Sequence, residues 1–148
     1  MTENDAIRRL RLLCRAHEAD LAEAKRGLAQ ALGDEEGAGA ARDAADAAIH
    51  AETVAAEISA GDAEVEAFAR WLPRAQARVR EAEQMLAQAA AVTAQRRAEL
   101  VLVRAAAEAA EEALNAALAA LGKQREAAEQ VASDDLAAQR VAWRGEED

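Results

Sequence analysis

Cys14 and His17 are the residues best placed for chemistry, because a separation of three residues puts both on one face of a helix. Thiolate and imidazole are zinc ligands, so the pair could supply half of a metal site. The only other histidine is His50, and the chain has no second cysteine with which to form a disulfide. We therefore interpret both residues as packing residues, and the sequence predicts no metal site.

The sequence also lacks the residue patterns that are typical of catalytic and cofactor-binding sites. The only serines are Ser59 and Ser133, and neither has a histidine near it in sequence. The segment Gly33–Gly39 lacks the following lysine and the preceding strand of a phosphate-binding loop. The many carboxylates fit the solvated face of helices, where no pocket can tune a pair for acid–base work. We expect no catalytic residue, no cofactor and no enzyme.

The arginines are scarce and fall into clusters that we predict to bind a partner. The first cluster shares one helical face and consists of Arg8, Arg11 and Arg15. The second surrounds a tryptophan and consists of Arg70, Trp71, Arg74 and Arg78. Such charges orient partners more than they add affinity, and a tryptophan beside arginine is a common interface anchor. Two alternatives stay open: ordinary solubilising charge, and packing of Trp71 against the opposite arm.

The composition favours long helices. Of the 148 residues, 46 are alanine and only 30 are larger apolar residues, and there is no tyrosine and one phenylalanine. This lacks the β-branched and aromatic density of sheets, so it excludes sandwiches, barrels and doubly wound α/β folds. The net charge of −10 argues against nucleic-acid binding and against adsorption to an anionic membrane. With no visible signal peptide or membrane-spanning run, we expect a cytoplasmic chain without membrane insertion.

Apolar residues recur in three stretches at alternating steps of three and four, the heptad pattern. The first stretch runs from Ile7 to Ala31. The three glycines of Gly33–Gly39 then predict a hinge, bulge or turn. A second stretch follows in a shifted register and contains Ala47, Ala51, Val54, Ile58, Gly61, Val65, Phe68 and Leu72. The third keeps one register: Val79, Ala82, Leu86, Ala89, Thr93, Arg96, Leu100, Val103, Ala107, Ala110, Leu114, Ala117 and Leu121.

These stretches predict an all-α fold, a long antiparallel two-helix coiled-coil hairpin. Gly61 and Pro73 place the reversal near 60–74, since both residue types interrupt helices. Arm 1 would cover about 4–60 and arm 2 about 74–143, followed by an acidic tail at 145–148. The alternative is a three-helix protein with a turn at 33–39.

The segment from Phe68 to Val79, with its Trp71-Leu72-Pro73-Arg74 step, resembles a segment just after the hairpin reversal of the injectisome YscO family and its flagellar relative FliJ. The chain length, the first heptads and the two-arm pattern are similar to that family as well. The resemblance implies an antiparallel coiled coil that serves as the central stalk of a type III export ATPase.

The resemblance implies a non-enzymatic stalk or adaptor that couples a hexameric export ATPase to the export gate, a membrane protein with a cytoplasmic domain, and that also binds some secretion chaperones. It places the chain in the cytoplasm, peripheral to the inner membrane through the export apparatus. A structural coiled coil that self-associates into a helical bundle is the alternative. A chain that folds only on a partner is a third possibility.

Overall fold

The computed structural model describes residues 2–59 and 61–145 and consists of two helices. Helix α1 spans Glu3–Ser59 and helix α2 spans Asp62–Gly145, and the described residues contain no strand. A short turn joins the helices into an antiparallel helical hairpin, which confirms the predicted fold class. The acidic residues 146–148 of the expected tail lie outside the described residues.

The chain divides into two compact units, each built from both helices. One combines Met1–Asp20 with Arg104–Asp148, and there Ile7 is buried beside Leu118 at a common cleft. The other is Leu21–Val103, which includes the turn between the helices.

The contact between the helices in the unit Leu21–Val103 is narrow and made of small side chains. Thr93 is 1% exposed, and its Oγ1 donates a hydrogen bond of 3.2 Å to the carbonyl oxygen of Ala31, which is 4% exposed. Further along, Leu86 approaches Gly39. Alanine and glycine at these positions let the helix axes come close, while little apolar area is buried in each turn.

The glycines of Gly33–Gly39 do not interrupt α1, so the expected hinge and the three-helix alternative are wrong. Each glycine costs a helix only about 1 kcal/mol relative to alanine. The half-buried positions Glu35 and Ala38 continue the spacing of Ala31 through the segment. Packing against α2 on both sides of the glycines therefore outweighs their low helix propensity.

The predicted shift of register on α1 is also wrong. Ala47, Ala51, Val54 and Ile58 are all exposed. Because the helix is continuous, the original three-and-four spacing carries on, and the inward positions are Arg42, Ala45, Ile49, Thr53 and Ala56. The hydroxyl of Thr53 donates to its own helix, to the carbonyl of Ile49 at 2.7 Å, so this hydroxyl is paired at the contact.

The predicted inward positions of α2 between Val79 and Leu121 are buried or half-buried, apart from Arg96. The Arg96 side chain lies over Gly27, with its Cδ 3.7 Å from the place where a Cβ would stand. Its guanidinium then reaches Glu99, with Nη1 3.0 Å from Oε2. A residue without a side chain on α1 thus lets this charge leave the contact and reach water.

The reversal lies between Ser59 and Asp62, at the early end of the predicted range. Gly61 caps α2, because its carbonyl accepts the first helical hydrogen bond, from the amide of Val65 at 3.1 Å. Pro73, expected to mark the reversal, lies inside α2 instead. It and Ala69, whose carbonyl loses its partner, are both exposed, so water can satisfy that carbonyl.

Thr2 caps the other helix, α1, through reciprocal hydrogen bonds with Asp5. The amide of Asp5 donates to Oγ1 of Thr2 at 3.2 Å, and the amide and hydroxyl of Thr2 donate to Oδ2 of Asp5 at 3.1 and 2.6 Å. This is a capping box, which satisfies amides that the first turn leaves without partners. Hydrogen bonds from Thr2 lower the pKa of the Asp5 carboxyl below its ordinary value of 3.8.

We expect Thr2→Ala to bring the pKa of Asp5 back towards 3.8, because the main donors to the carboxylate are then lost or weakened. In the unchanged protein the cap contributes fully above pH 3.8 and is lost as the pH falls through the lower folded pKa. An NMR titration of the Asp5 side-chain carboxyl measures the shift, and Thr2→Ser serves as the control that keeps the hydroxyl. Equal titration midpoints for Asp5 in the alanine variant and the unchanged protein would contradict this interpretation.

Candidate interaction surfaces

Arg8, Arg11 and Arg15 all lie exposed on α1. Among residues 2–59 and 61–145, none of the three has a carboxylate oxygen within 4.0 Å. Their charges are therefore available to an external partner. We call these three residues the α1 arginine row.

Two members of the α1 arginine row border a cleft between the start of α1 and the facing part of α2. The cleft has a volume of about 370 Å³ and is lined by Asn4, Ile7, Arg8, Arg11, Leu118, Leu121 and Arg125. Its floor is apolar and its rim carries three guanidinium groups. Such a site suits an anionic group joined to an apolar segment, such as the end of an acidic helix. We call it the basic cleft.

Sequence reasoning missed Arg125 as a member of this site. It lies far from Arg8 and Arg11 in sequence, and only the antiparallel register brings it beside them. Pairing the predicted heptads of the two arms, residue by residue, was the signal that could have found it.

The structure separates the second predicted cluster into a half-buried aromatic pair and exposed arginines. Trp71 lies against Phe68, with ring centroids 5.9 Å apart, and is only partly exposed. Both rings border a cleft with α1 residues that include Ala55 and Ser59. Trp71 thus faces a cleft that it shares with the opposite arm, and it stays partly exposed.

The arginines around Trp71 are exposed. Arg70 is 3.3 Å from Oε2 of Glu66, a surface ion pair of the kind that contributes little to stability. In the described part of the chain, Arg74 and Arg78 have no carboxylate oxygen within 4.0 Å. They leave two free guanidinium groups one turn apart on this face of α2.

Cys14 and His17 are half-buried on the inward face of α1. The imidazole Nδ1 of His17 lies 3.8 Å from Oδ2 of Asp20 on the same helix. No group of three or more His, Cys, Asp or Glu side chains within the described ranges is arranged to hold a metal ion. These two residues therefore have packing positions in the helix contact.

Neither α1 nor α2 has a stretch that is both long enough and apolar enough to span a bilayer. Comparison of the chain with protein-family models, curated proteins and solved structures yields no match to any of them.

Proposed function

We propose that this chain is a non-enzymatic stalk or adaptor of a type III secretion or flagellar export system, where it couples a hexameric ATPase to the export gate. The observation that carries the proposal is the α1 arginine row, which is exposed on an antiparallel helical hairpin and has no carboxylate partner among residues 2–59 and 61–145. The resemblance around Trp71 to the YscO and FliJ stalks supports it. The protein would act in the cytoplasm, at the inner membrane through its partners.

The mechanism is mechanical and electrostatic. In this proposal the α1 arginine row contacts acidic loops in the pore of the hexamer, so that each subunit in turn meets the same charged face. The exposed edge of Trp71, with Arg74 and Arg78, contacts the export gate or a secretion chaperone. A paired helix transmits torque better than a single one, because the inward contacts hold the two helices together.

The test is the ATP hydrolysis rate of the cognate hexamer with and without this protein. We expect stimulation or ring assembly, and we expect the double variant Arg8→Glu and Arg11→Glu to weaken binding about tenfold or more, because two attractions become repulsions. The matched control is the double variant Arg97→Glu and Arg104→Glu, which makes the same charge change at exposed positions outside the row. Equal binding by both double variants, or no effect on the hexamer, would refute the proposal.

A structural scaffold that self-associates into a helical bundle is the second candidate. It is favoured by large apolar side chains that the hairpin leaves exposed, including Leu12, Leu13, Val101 and Leu102. Side-by-side packing of two hairpins would cover such residues. Sedimentation velocity with Leu102→Glu tests it: loss of a dimer in this variant would support the scaffold.

A further inference from the structure

The last part of α2 has no helix beside it. Residues 123–144 are all exposed, whereas the preceding inward positions Leu114, Ala117 and Leu121 are half-buried. The change comes where α1 begins, at the basic cleft. Four large apolar side chains of this segment face solvent: Val131 is 60% exposed, Leu136 57%, Val141 72% and Trp143 79%.

The exposed segment carries a stripe that continues the inward face of α2. From the half-buried Leu114 and Leu121, steps of three and four residues lead along one face of the helix. The stripe consists of Arg125, Ala128, Ala132, Leu136, Gln139 and Trp143. Between Leu136 and Trp143 the side chains border a hollow of about 430 Å³, which an opposing side chain can fill. A helix on this stripe would lie in line with α1.

We propose that the occupant is a second copy of this chain, whose residues 123–145 pack antiparallel on the same stripe. This inference goes beyond the proposed function and does not depend on it. In the antiparallel register centred at residue 134, Leu136 of each copy lies over Ala132 of the other. Large side chains then meet small ones, as knobs-into-holes packing requires.

Charge favours the antiparallel arrangement. In this register Trp143 of one copy covers Arg125 of the other, a cation–π contact that occurs twice by symmetry. Glu129 and Arg140 lie on the same flank of the stripe. In the antiparallel register, Glu129 of each copy therefore lies beside Arg140 of the other. A parallel pair would place Arg125 against Arg125.

The basic cleft lies where the second copy ends. Residue 145 of that copy is opposite residue 123, beside the start of α1. The next residues in its sequence are Glu146, Glu147 and Asp148. Their three negative charges complement the three guanidinium groups of the cleft, and this complementarity favours a second copy of the chain as the occupant.

One contact opposes the dimer. Asp135 lies on the other flank near the two-fold axis, where it approaches Asp135 of the second copy. Like charges at this distance repel, so Asp135→Asn is expected to tighten the dimer.

Sedimentation equilibrium of the full chain at micromolar concentrations tests the proposal. We expect a monomer–dimer equilibrium that Leu136→Lys weakens about tenfold or more, because it places a charge in the centre of the interface. The matched control is Val141→Lys, which introduces the same residue on the opposite face of the same unpaired segment, at a position that is 72% exposed. Both sites are exposed in the hairpin, so its helicity measured by circular dichroism stays unchanged.

Charge reversal fixes the register. Glu129→Arg alone and Arg140→Glu alone are expected to weaken the dimer, and the two together to restore it. Replacing Glu146, Glu147 and Asp148 by their amides is expected to weaken it and to reduce its dependence on salt. A monomer at all concentrations, a dimer that resists Leu136→Lys, or a failed charge-reversal rescue would overturn the proposal. None of these outcomes bears on stimulation of an ATPase, so the two proposals fail separately.

Discussion

Replacing Ala31 by leucine is expected to destabilise the hairpin by about 1–3 kcal/mol, the usual cost of overpacking a tight contact. Ala31 is 4% exposed, and its carbonyl accepts the hydrogen bond from the buried hydroxyl of Thr93. A leucine side chain at this point has no space unless the helices move apart. That movement breaks the hydrogen bond and separates the neighbouring alanines. Because these contacts bury little apolar area, a small separation removes much of it.

Ala29→Leu is the control for this prediction, because Ala29 is exposed two residues away on the same helix. It makes the same chemical change with the same gain in side-chain size, so its effect is expected within about 0.5 kcal/mol. Urea unfolding followed by circular dichroism measures both variants. Equal midpoints for the two would mean that the Ala31–Thr93 contact does not limit how closely the helices approach.

The inward face of α2 could be predicted from sequence because its apolar residues are large. Leu86, Leu100 and Leu114 recur at intervals of two heptads, with Val103 in the same register, and together they fix one register over many turns. Arg96 is the exception on this inward face. Its side chain turns outwards, into the space that Gly27 on the other helix leaves. That accommodation depends on the exact register between the helices, and the predicted reversal range of 60–74 is too wide to fix that register.

The inward face of α1 beyond Gly39 could not be predicted in the same way. Alanine is so frequent that every face of this helix carries small apolar residues. The spacing of apolar residues therefore does not distinguish the inward face from the exposed faces. The more conspicuous Val54 and Ile58 are exposed, while Arg42 and Thr53 lie inwards. Arg42 is accommodated beside Asp43, with its Nε 3.3 Å from Oδ1 but outside hydrogen-bond geometry.

Only those residues of the candidate site that lie close together in the sequence could be predicted. The α1 arginine row follows from spacing on one helix, and the exposed positions agree with that spacing. The basic cleft also needs Arg125, which comes from the other helix. Arg125 joins the cleft because α1 starts beside Leu118 and Leu121, and this depends on how the two arms align.

Replacing Gly33, Gly37 and Gly39 together by alanine is expected to stabilise the hairpin by about 2–3 kcal/mol, since each glycine in a helix interior costs about 1 kcal/mol relative to alanine. A Cβ at Gly33 or Gly37 would meet no atom within 4 Å, and one at Gly39 would lie 3.9 Å from Cδ1 of Leu86, an ordinary contact. The substitutions therefore raise the helix propensity of α1 without causing a steric clash. Thermal unfolding followed by circular dichroism measures the gain.

The opposite sign is expected for Gly61→Ala, which supplies the control. Gly61 caps α2, a position where glycine is preferred to alanine, and a Cβ there would meet only the flexible end of the exposed Glu64 side chain, which can turn aside. If the triple variant were destabilised like Gly61→Ala, α1 would have to bend at these glycines in solution. A stabilised triple variant would instead show that α1 is continuous through these positions and that the glycines are not needed for folding.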